Sequence, residues 1–232
     1  MVDGKMKAIT FSYDDGVTQD IRLIEIFNKY NLKCTFNLNS ALLGNKDTVI
    51  YDSKSINHTK IKSEDVKYIY AGHEVAVHTL THTNLTNLKE EEIIRQVEDD
   101  RKNLSELVGN EVVGMAYPCG GINNDDRVAE VIKNNTGVRF SRTITSSYSF
   151  DLQDNLYRFN PTVYDRETKK MFELAEQFLN MKTNKLQVFY IWGHSYELDI
   201  DDTWEQFDEF CKLVSGRKDI FYGTNSEILL AN

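Results

Sequence analysis

The feature that most constrains this chain is a repeated exchange of two hydrophobic periods. Short apolar runs, near-continuous or alternating, are followed by longer runs with apolar residues at helical spacing. "KAITFSY" precedes a helix-like run whose apolar face carries Ile21, Ile24, Phe27 and Tyr30. "KCTFNLN" comes next, then a polar stretch from Gly44 to Ser63 with little periodicity. "SEDVKYIYA" reads as a short helix leading into the strand "EVAVHT". A long helix from about Lys89 to Leu107 sets Ile93, Ile94, Val97, Leu104 and Leu107 at helical spacing. The strand "EVVGMAY", a helix near "DDRVAEVIKNN" and an irregular region from Thr136 to about Asp165 follow. The helix "TKKMFELAEQFLNMK", the strand "LQVFYIW", the helix "TWEQFDEFCKLVS" and the strand "DIFYGTN" close the chain.

Strands that alternate with helices pair in parallel and carry the helices outside the sheet. About seven such units predict an α/β barrel, with its reactive residues where strands end and helices begin. One domain over residues 1–232 is the simpler expectation for this length. With 41% hydrophobic residues the chain can fill a sizeable core. Its 27 basic against 36 acidic residues give a net charge of -9 without any Lys/Arg run, which argues against nucleic acid as a partner. Cys34, Cys119 and Cys211 are odd in number and lack CxxC spacing, so they fit neither a disulfide framework nor a structural zinc site. "MVDGKMKAITF" has no apolar core for a signal peptide, and no run approaches a membrane span. The expectation is a cytoplasmic protein, or a secreted one whose signal has been trimmed.

The candidates for chemistry gather at strand ends. Asp14 and Asp15 follow "KAITFSY", and neighbours on a regular strand point to opposite faces, so both serve one site only if the backbone turns there. Gly16 permits that turn; the Asp-Gly pair also fits a simple tight turn. His78 and His82, in "VHTLTH", share a face at a spacing of four, on a helix or on a strand, and so can meet one ion. A pair of histidines fits an ordinary polar loop as well. His194 ends "VFYIWGH", while His58 and His73 read as a loop residue and a strand-start residue without a role. In "MAYPCGG", Pro118 and two glycines impose an unusual backbone path, either a plain turn or one that aims N–H groups at a ligand.

In order, "TFSYDDG", "HTLTH", "AYPCGG" and "YIWGH" resemble the motif series of the polysaccharide deacetylase family, the NodB-homology or family 4 carbohydrate esterase type, from Ile9 to about His194. The resemblance implies a distorted (β/α) barrel of seven or eight strands. It implies a hydrolase that removes N-acetyl groups from a sugar or polysaccharide. Asp15, His78 and His82 would hold a divalent cation, Asp14 would be the catalytic base and His194 the catalytic acid. The backbone N–H of Cys119, after Pro118, would help hold the oxyanion, with Tyr117 and Trp192 in the pocket wall. Zinc is the default cation, with Co, Ni, Mn or Fe as alternatives for a His2Asp set.

The chemistry is coherent on its own terms. A cation held by two imidazoles and one carboxylate polarises an acetyl carbonyl and acidifies a water. Asp14 takes the proton, and His194 gives one to the leaving nitrogen, which an amide needs and an ester scarcely does. Two departures stand out. Many members carry an arginine in the third motif where this chain has Ala116, and "AYPCG" is closer to the "A-aromatic-P-Y-G" form of a poly-N-acetylglucosamine-acting branch, with Cys119 replacing the tyrosine. The aspartate-tryptophan motif is not evident between Val138 and Asp165, which leaves Arg142 and Glu197 as candidates to orient the reacting groups or touch substrate. Tyr13, Tyr117, Trp192 and Tyr196 are either sugar-stacking or packing residues. Three functions stay open: an N-deacetylase, an O-acetyl esterase or cyclic-amide hydrolase on the same site, and an inactive carbohydrate-binding barrel.

Overall fold

The computed structural model describes residues 1–231. In chain order, β1 (Lys7–Asp14), α1 (Asp20–Lys29), β2 (Cys34–Leu38), β3 (Thr48–Tyr51), β4 (Lys54–Asn57), α2 (Val66–Ile69) and β5 (Glu74–Val77) form the first half. Then come α3 (Glu90–Ile94), a π-helical turn at Arg95–Asp99, α4 (Asp100–Val108), β6 (Gly114–Ala116), α5 (Asp126–Asn135), β7 (Phe140–Arg142) and β8 (Val163–Tyr164). The last stretch holds α6 (Thr168–Asn180), β9 (Gln187–Gly193), α7 (Ser195–Asp201), α8 (Trp204–Val214), β10 (Ile220–Tyr222) and α9 (Asn225–Leu229).

Seven parallel strands lie in the order β7-β6-β5-β2-β1-β9-β8 and curl into a half-barrel, with β10 pairing the first residues of β1. The gap between β7 and β9 is crossed by one distorted segment. Phe159 N–H donates to Ser141 O at 2.9 Å, and Thr162 N–H donates to Tyr190 O at 2.8 Å. The expected distorted (β/α) barrel is therefore the fold.

The central strand shows how sequence parity builds the site. Ile9, Phe11 and Tyr13 point outward into the core shared with the helices. Their neighbours Thr10, Ser12 and Asp14 are also buried, and in a strand they must point the other way, into the barrel. The barrel floor is a second apolar cluster containing Ala8, Phe140, Val188, Tyr190 and Ile228. Above it lies a polar layer, where Asn225 Nδ2 donates to Thr10 Oγ1 at 2.8 Å and Arg142 Nε donates to Ser12 Oγ at 3.2 Å. The strands' C-terminal ends open above that layer.

Four expectations change. The aperiodic stretch Gly44–Ser63 contains the antiparallel hairpin β3–β4, turned by Asp52 and Ser53, both at positive φ (45° and 69°); without the Asn-Gly or Asp-Gly signal it is hard to see. The irregular region Thr136–Asp165 contains β7 and β8, three and two residues long, too short for periodicity. Helix α7 follows His194 directly and was not anticipated. Ile21 is 44% exposed, and Leu23 takes the buried position on α1. Among the described residues no helix is long and apolar enough to cross a membrane.

Candidate active site

Asp14 is the last residue of β1 and Asp15 leaves the strand at φ 83°, with Gly16 at 62°. These left-handed conformations break strand alternation, so both carboxylates enter one cleft. Gly16 is needed on a second count, because an added Cβ would collide with Leu38.

Asp14 is 1% exposed and forms a buried ion pair with Arg142, whose guanidinium contacts both its carboxylate oxygens. Asn37 Nδ2 donates to Asp14 Oδ1 at 2.8 Å, and the Trp192 ring lies 4.5 Å from the guanidinium carbon. Burial would raise the Asp14 pKa, but the charge of Arg142, helped by His78 and His194, holds it below the ordinary value.

Asp15 faces the histidine pair. Its Oδ1 lies 3.4 Å from His82 Nε2 and 4.0 Å from His78 Nε2, and one ligand atom from each of the three residues falls within 4.8 Å of the others. His78 Nδ1 sits 2.9 Å from Ala116 O, which requires Nδ1–H and leaves the Nε2 lone pair toward Asp15. Burial pushes the His78 pKa down to about 4 and lowers that of His82, keeping both imidazoles neutral. Asp15 stays well below the carboxylate range: burial opposes its ionisation, but His58 and Lys60 outweigh burial. A carboxylate and two neutral imidazoles so close together suit a divalent cation. The π-helical turn and the start of α4 back their loop: Gln96 O accepts from Leu80 N at 2.8 Å, and Asp100 Oδ2, at the start of α4, from His78 N at 3.2 Å.

On the other side, His194 Nε2 lies 3.9 Å from Asp14 Oδ2, and its Nδ1 is 2.9 Å from Glu197 Oε2. Glu197 also accepts from the Tyr164 hydroxyl and lies 3.3 Å from Arg166 Nη1. Burial works against charging His194, and Glu197 overcomes it, raising the pKa to about 9. Gly193 has no room for a Cβ, which would collide with Asp165.

Asp14, Asp15, His78, His82 and His194 all line one cleft of about 310 Å³, together with Cys119, Trp192, Tyr164 and Tyr196. Arg142 and Glu197 contact Asp14 and His194 directly. Of the third-motif residues, Cys119 has φ 71°, its Sγ lies 3.6 Å from His82 O, and none of the hydrogen bonds among the described residues uses its backbone N–H. Tyr117 touches the cleft but is fully buried, its hydroxyl donating to Tyr157 O at 2.8 Å. Pro118 is buried behind the wall, its carbonyl accepting from Asn123 Nδ2 at 3.0 Å. Tyr13 is buried too, donating to Asp165 Oδ2 at 2.7 Å, so it packs and has no face for a sugar. Sequence reasoning missed Tyr164 and His58, the latter with Nε2 3.4 Å from Asp15 Oδ2. A wider groove of about 460 Å³ beside His73 and Glu74 brings no such ligand set together; among the described residues Asp15, His78 and His82 are the group so arranged.

A family model described as polysaccharide deacetylase matches residues 2–140, more than half of the chain. The chain belongs to the polysaccharide deacetylase family. Members are hydrolases that act on acetylated carbohydrates and generally use a divalent metal. Among solved structures, one described as a polysaccharide deacetylase of Mycobacterium smegmatis is 18% identical, with a TM-score of 0.67 over 98% of this chain and 90% of that one. A family 4 carbohydrate esterase from Streptomyces lividans, in complex with acetate, is 14% identical with a TM-score of 0.58 over 97% and 94%. A mutant of a pseudoenzyme of the same esterase family, with restored activity, is 18% identical with a TM-score of 0.59 over 97% and 68%. For a Streptococcus pyogenes deacetylase and a Bacillus cereus polysaccharide deacetylase the chain spans about half of the other's length, 55% and 44%. The three likenesses that span nearly the whole of this chain show a shared fold. No curated protein matches.

Proposed function

We propose that residues 1–232 act as one catalytic domain, a metal-dependent N-deacetylase of acetylated amino sugars. Asp15, His78 and His82 would hold the cation, zinc by default, with Co, Ni, Mn or Fe as alternatives. When bound, it would act as a Lewis acid toward the acetyl carbonyl and the attacking water. The observation that carries the reading is the division of labour between neighbours: Asp15 lies near both neutral imidazoles, whereas Asp14, although also 3.9 Å from His78 Nε2, is engaged by Arg142 and sits 3.9 Å from His194 Nε2.

Asp14 takes the proton of the attacking water. Arg142 and Asn37 keep it ionised and oriented for that step. His194 is protonated at neutral pH, because Glu197 raises its pKa to about 9, and it delivers a proton to the departing nitrogen. An amide needs that proton, because an amide anion leaves poorly. The backbone N–H of Cys119 is the donor for the oxyanion. Trp192, stacked on Tyr164 at 4.4 Å between centroids, and Tyr196 form the apolar wall against which a sugar and its acetyl group pack.

The His194–Glu197 pair favours an N-acetyl over an O-acetyl substrate. The complete Asp14, Asp15, His78, His82 and His194 set favours an active enzyme over a sugar-binding barrel. The test joins metal analysis of the purified protein to acetate release from a panel of N- and O-acetylated sugars. Asp14→Asn is expected to abolish turnover with metal retained, and Asp15→Asn to weaken metal binding itself. If both variants bind metal normally, the roles are wrongly assigned. No acetate from any substrate would leave the cyclic-amide or binding-barrel reading.

A further inference from the structure

The segment Asn57–Ile61, which leaves β4, lies antiparallel along the turn that carries Asp15. Thr18 N–H donates to Thr59 O at 2.9 Å and Ile61 N–H to Gly16 O at 2.8 Å, with a bridge between Val17 and Lys60. Its other edge is held by Lys60 N–H donating to Asn45 O at 2.8 Å and His58 N–H donating to Asp47 O at 2.9 Å. The backbone on both sides therefore fixes where His58 and Lys60 point.

Both side chains point at Asp15. Lys60, 6% exposed, donates to the Asp15 backbone carbonyl at 2.8 Å, at the residue held in the left-handed conformation. His58 Nε2 lies 3.4 Å from Asp15 Oδ2, and its ring meets Tyr196 edge-on at 4.7 Å. Its buried Nδ1 has no partner among the described residues, so the proton belongs on Nε2, where the carboxylate accepts it. The two oxygens of Asp15 are thus distinguished. Oδ1 faces His82 and His78, with Lys60 Nζ beside it at 3.3 Å, and Oδ2 faces His58.

We propose that His58 is a positioning residue of the cation site: it holds Asp15 Oδ2 so that Oδ1 is the oxygen presented to the histidine pair. The inference rests on the reading of Asp15, His78 and His82 as cation ligands. His58 lies outside the group of ligand atoms within 4.8 Å of one another, so it acts through Asp15 and is not itself a ligand. Groups that hold a ligand in this way typically change metal affinity by about 10–100-fold when removed. The residue comes from the polar stretch between β2 and β5, which none of the recognised motifs includes.

The test measures Zn²⁺ affinity by competition with a chromophoric chelator for the wild type, His58→Ala and His58→Gln, with Asp15→Asn as reference. His58→Ala is expected to weaken Zn²⁺ by about 10–100-fold at an unchanged melting temperature. His58→Gln should recover part of the loss, since its amide N–H reaches the same oxygen. The Co²⁺-substituted protein should keep its visible band positions and intensities in His58→Ala, because no ligand is lost. Affinity within about twofold of wild type in both variants overturns the proposal, as does a Co²⁺ spectrum that changes coordination number, which would make His58 a ligand. A wild type that binds no Zn²⁺ dependent on Asp15 overturns the cation site, and this inference with it.

Discussion

His78 and His194 stand on opposite sides of the cleft, each with Nε2 3.9 Å from the same oxygen, Asp14 Oδ2. Both are largely shielded from solvent. Yet burial takes His78 down to about 4, while His194 is raised to about 9 against the same penalty. The difference lies on the far ring nitrogen. His78 Nδ1 meets a backbone carbonyl, Ala116 O, and His194 Nδ1 meets a carboxylate, Glu197 Oε2, each at 2.9 Å. A carbonyl fixes the tautomer without favouring charge, whereas a carboxylate favours the imidazolium. At neutral pH one imidazole offers a lone pair and the other a proton. The partner behind the ring decides between a cation ligand and an acid.

The largest expected break of this comparison is His194→Ala. If His194 is the acid, kcat for an N-acetyl substrate falls by about 10²–10⁴-fold. Hydrolysis of an activated acetate ester by the same variant falls far less, because its leaving group needs no proton. Equal losses on both substrates would remove His194 from the acid role. Next in size is Arg142→Met, which strips the counter-charge from the carboxylate both histidines share. Asp14 would be left ionised and buried, or protonated and useless as a base. Breaking a buried pair on one side costs about 3–5 kcal/mol, read as a lower midpoint in urea unfolding. An unfolding midpoint equal to wild type would mean that the pair adds nothing to the fold.

Much of this was legible in the sequence, for physical reasons. The exchange of two hydrophobic periods forces a parallel sheet with outer helices, and Asp14, Asp15, His78, His82 and His194 all end strand-like runs. Parity along β1 carried more than was read from it. Tyr13 shares a face with Ile9 and Phe11 and belongs to the outer core, as its burial shows, whereas Asp14 shares a face with Thr10 and Ser12. What was not legible depends on distance along the chain. Arg142 could be named as a residue that orients a reacting group, but not its partner: it ends a three-residue strand and reaches the Asp14 carboxylate 128 positions away. His58 sits beyond a hairpin whose Asp52–Ser53 turn gives no glycine signal. Neither contact leaves a local period for the eye to find.

The subtlest change converts one member of the histidine comparison into the other. Glu197→Gln keeps an oxygen acceptor for His194 Nδ1 and removes the charge, so the back of the His194 ring comes to resemble that of His78. The sign follows directly. With a pKa of about 9 the imidazolium persists to alkaline pH, and activity should fall only as pH rises through that value. Without the carboxylate, only Asp14 and Asp15 oppose burial, and the pKa drops toward the free-histidine value of about 6.5. The alkaline limb of the kcat profile is therefore expected to move to lower pH, with activity lost at pH 8 and partly kept at pH 6. The acidic limb should stay, since Asp14 owes its low pKa first to Arg142. An unshifted alkaline limb in Glu197→Gln would separate the two histidines by something other than the group behind the ring.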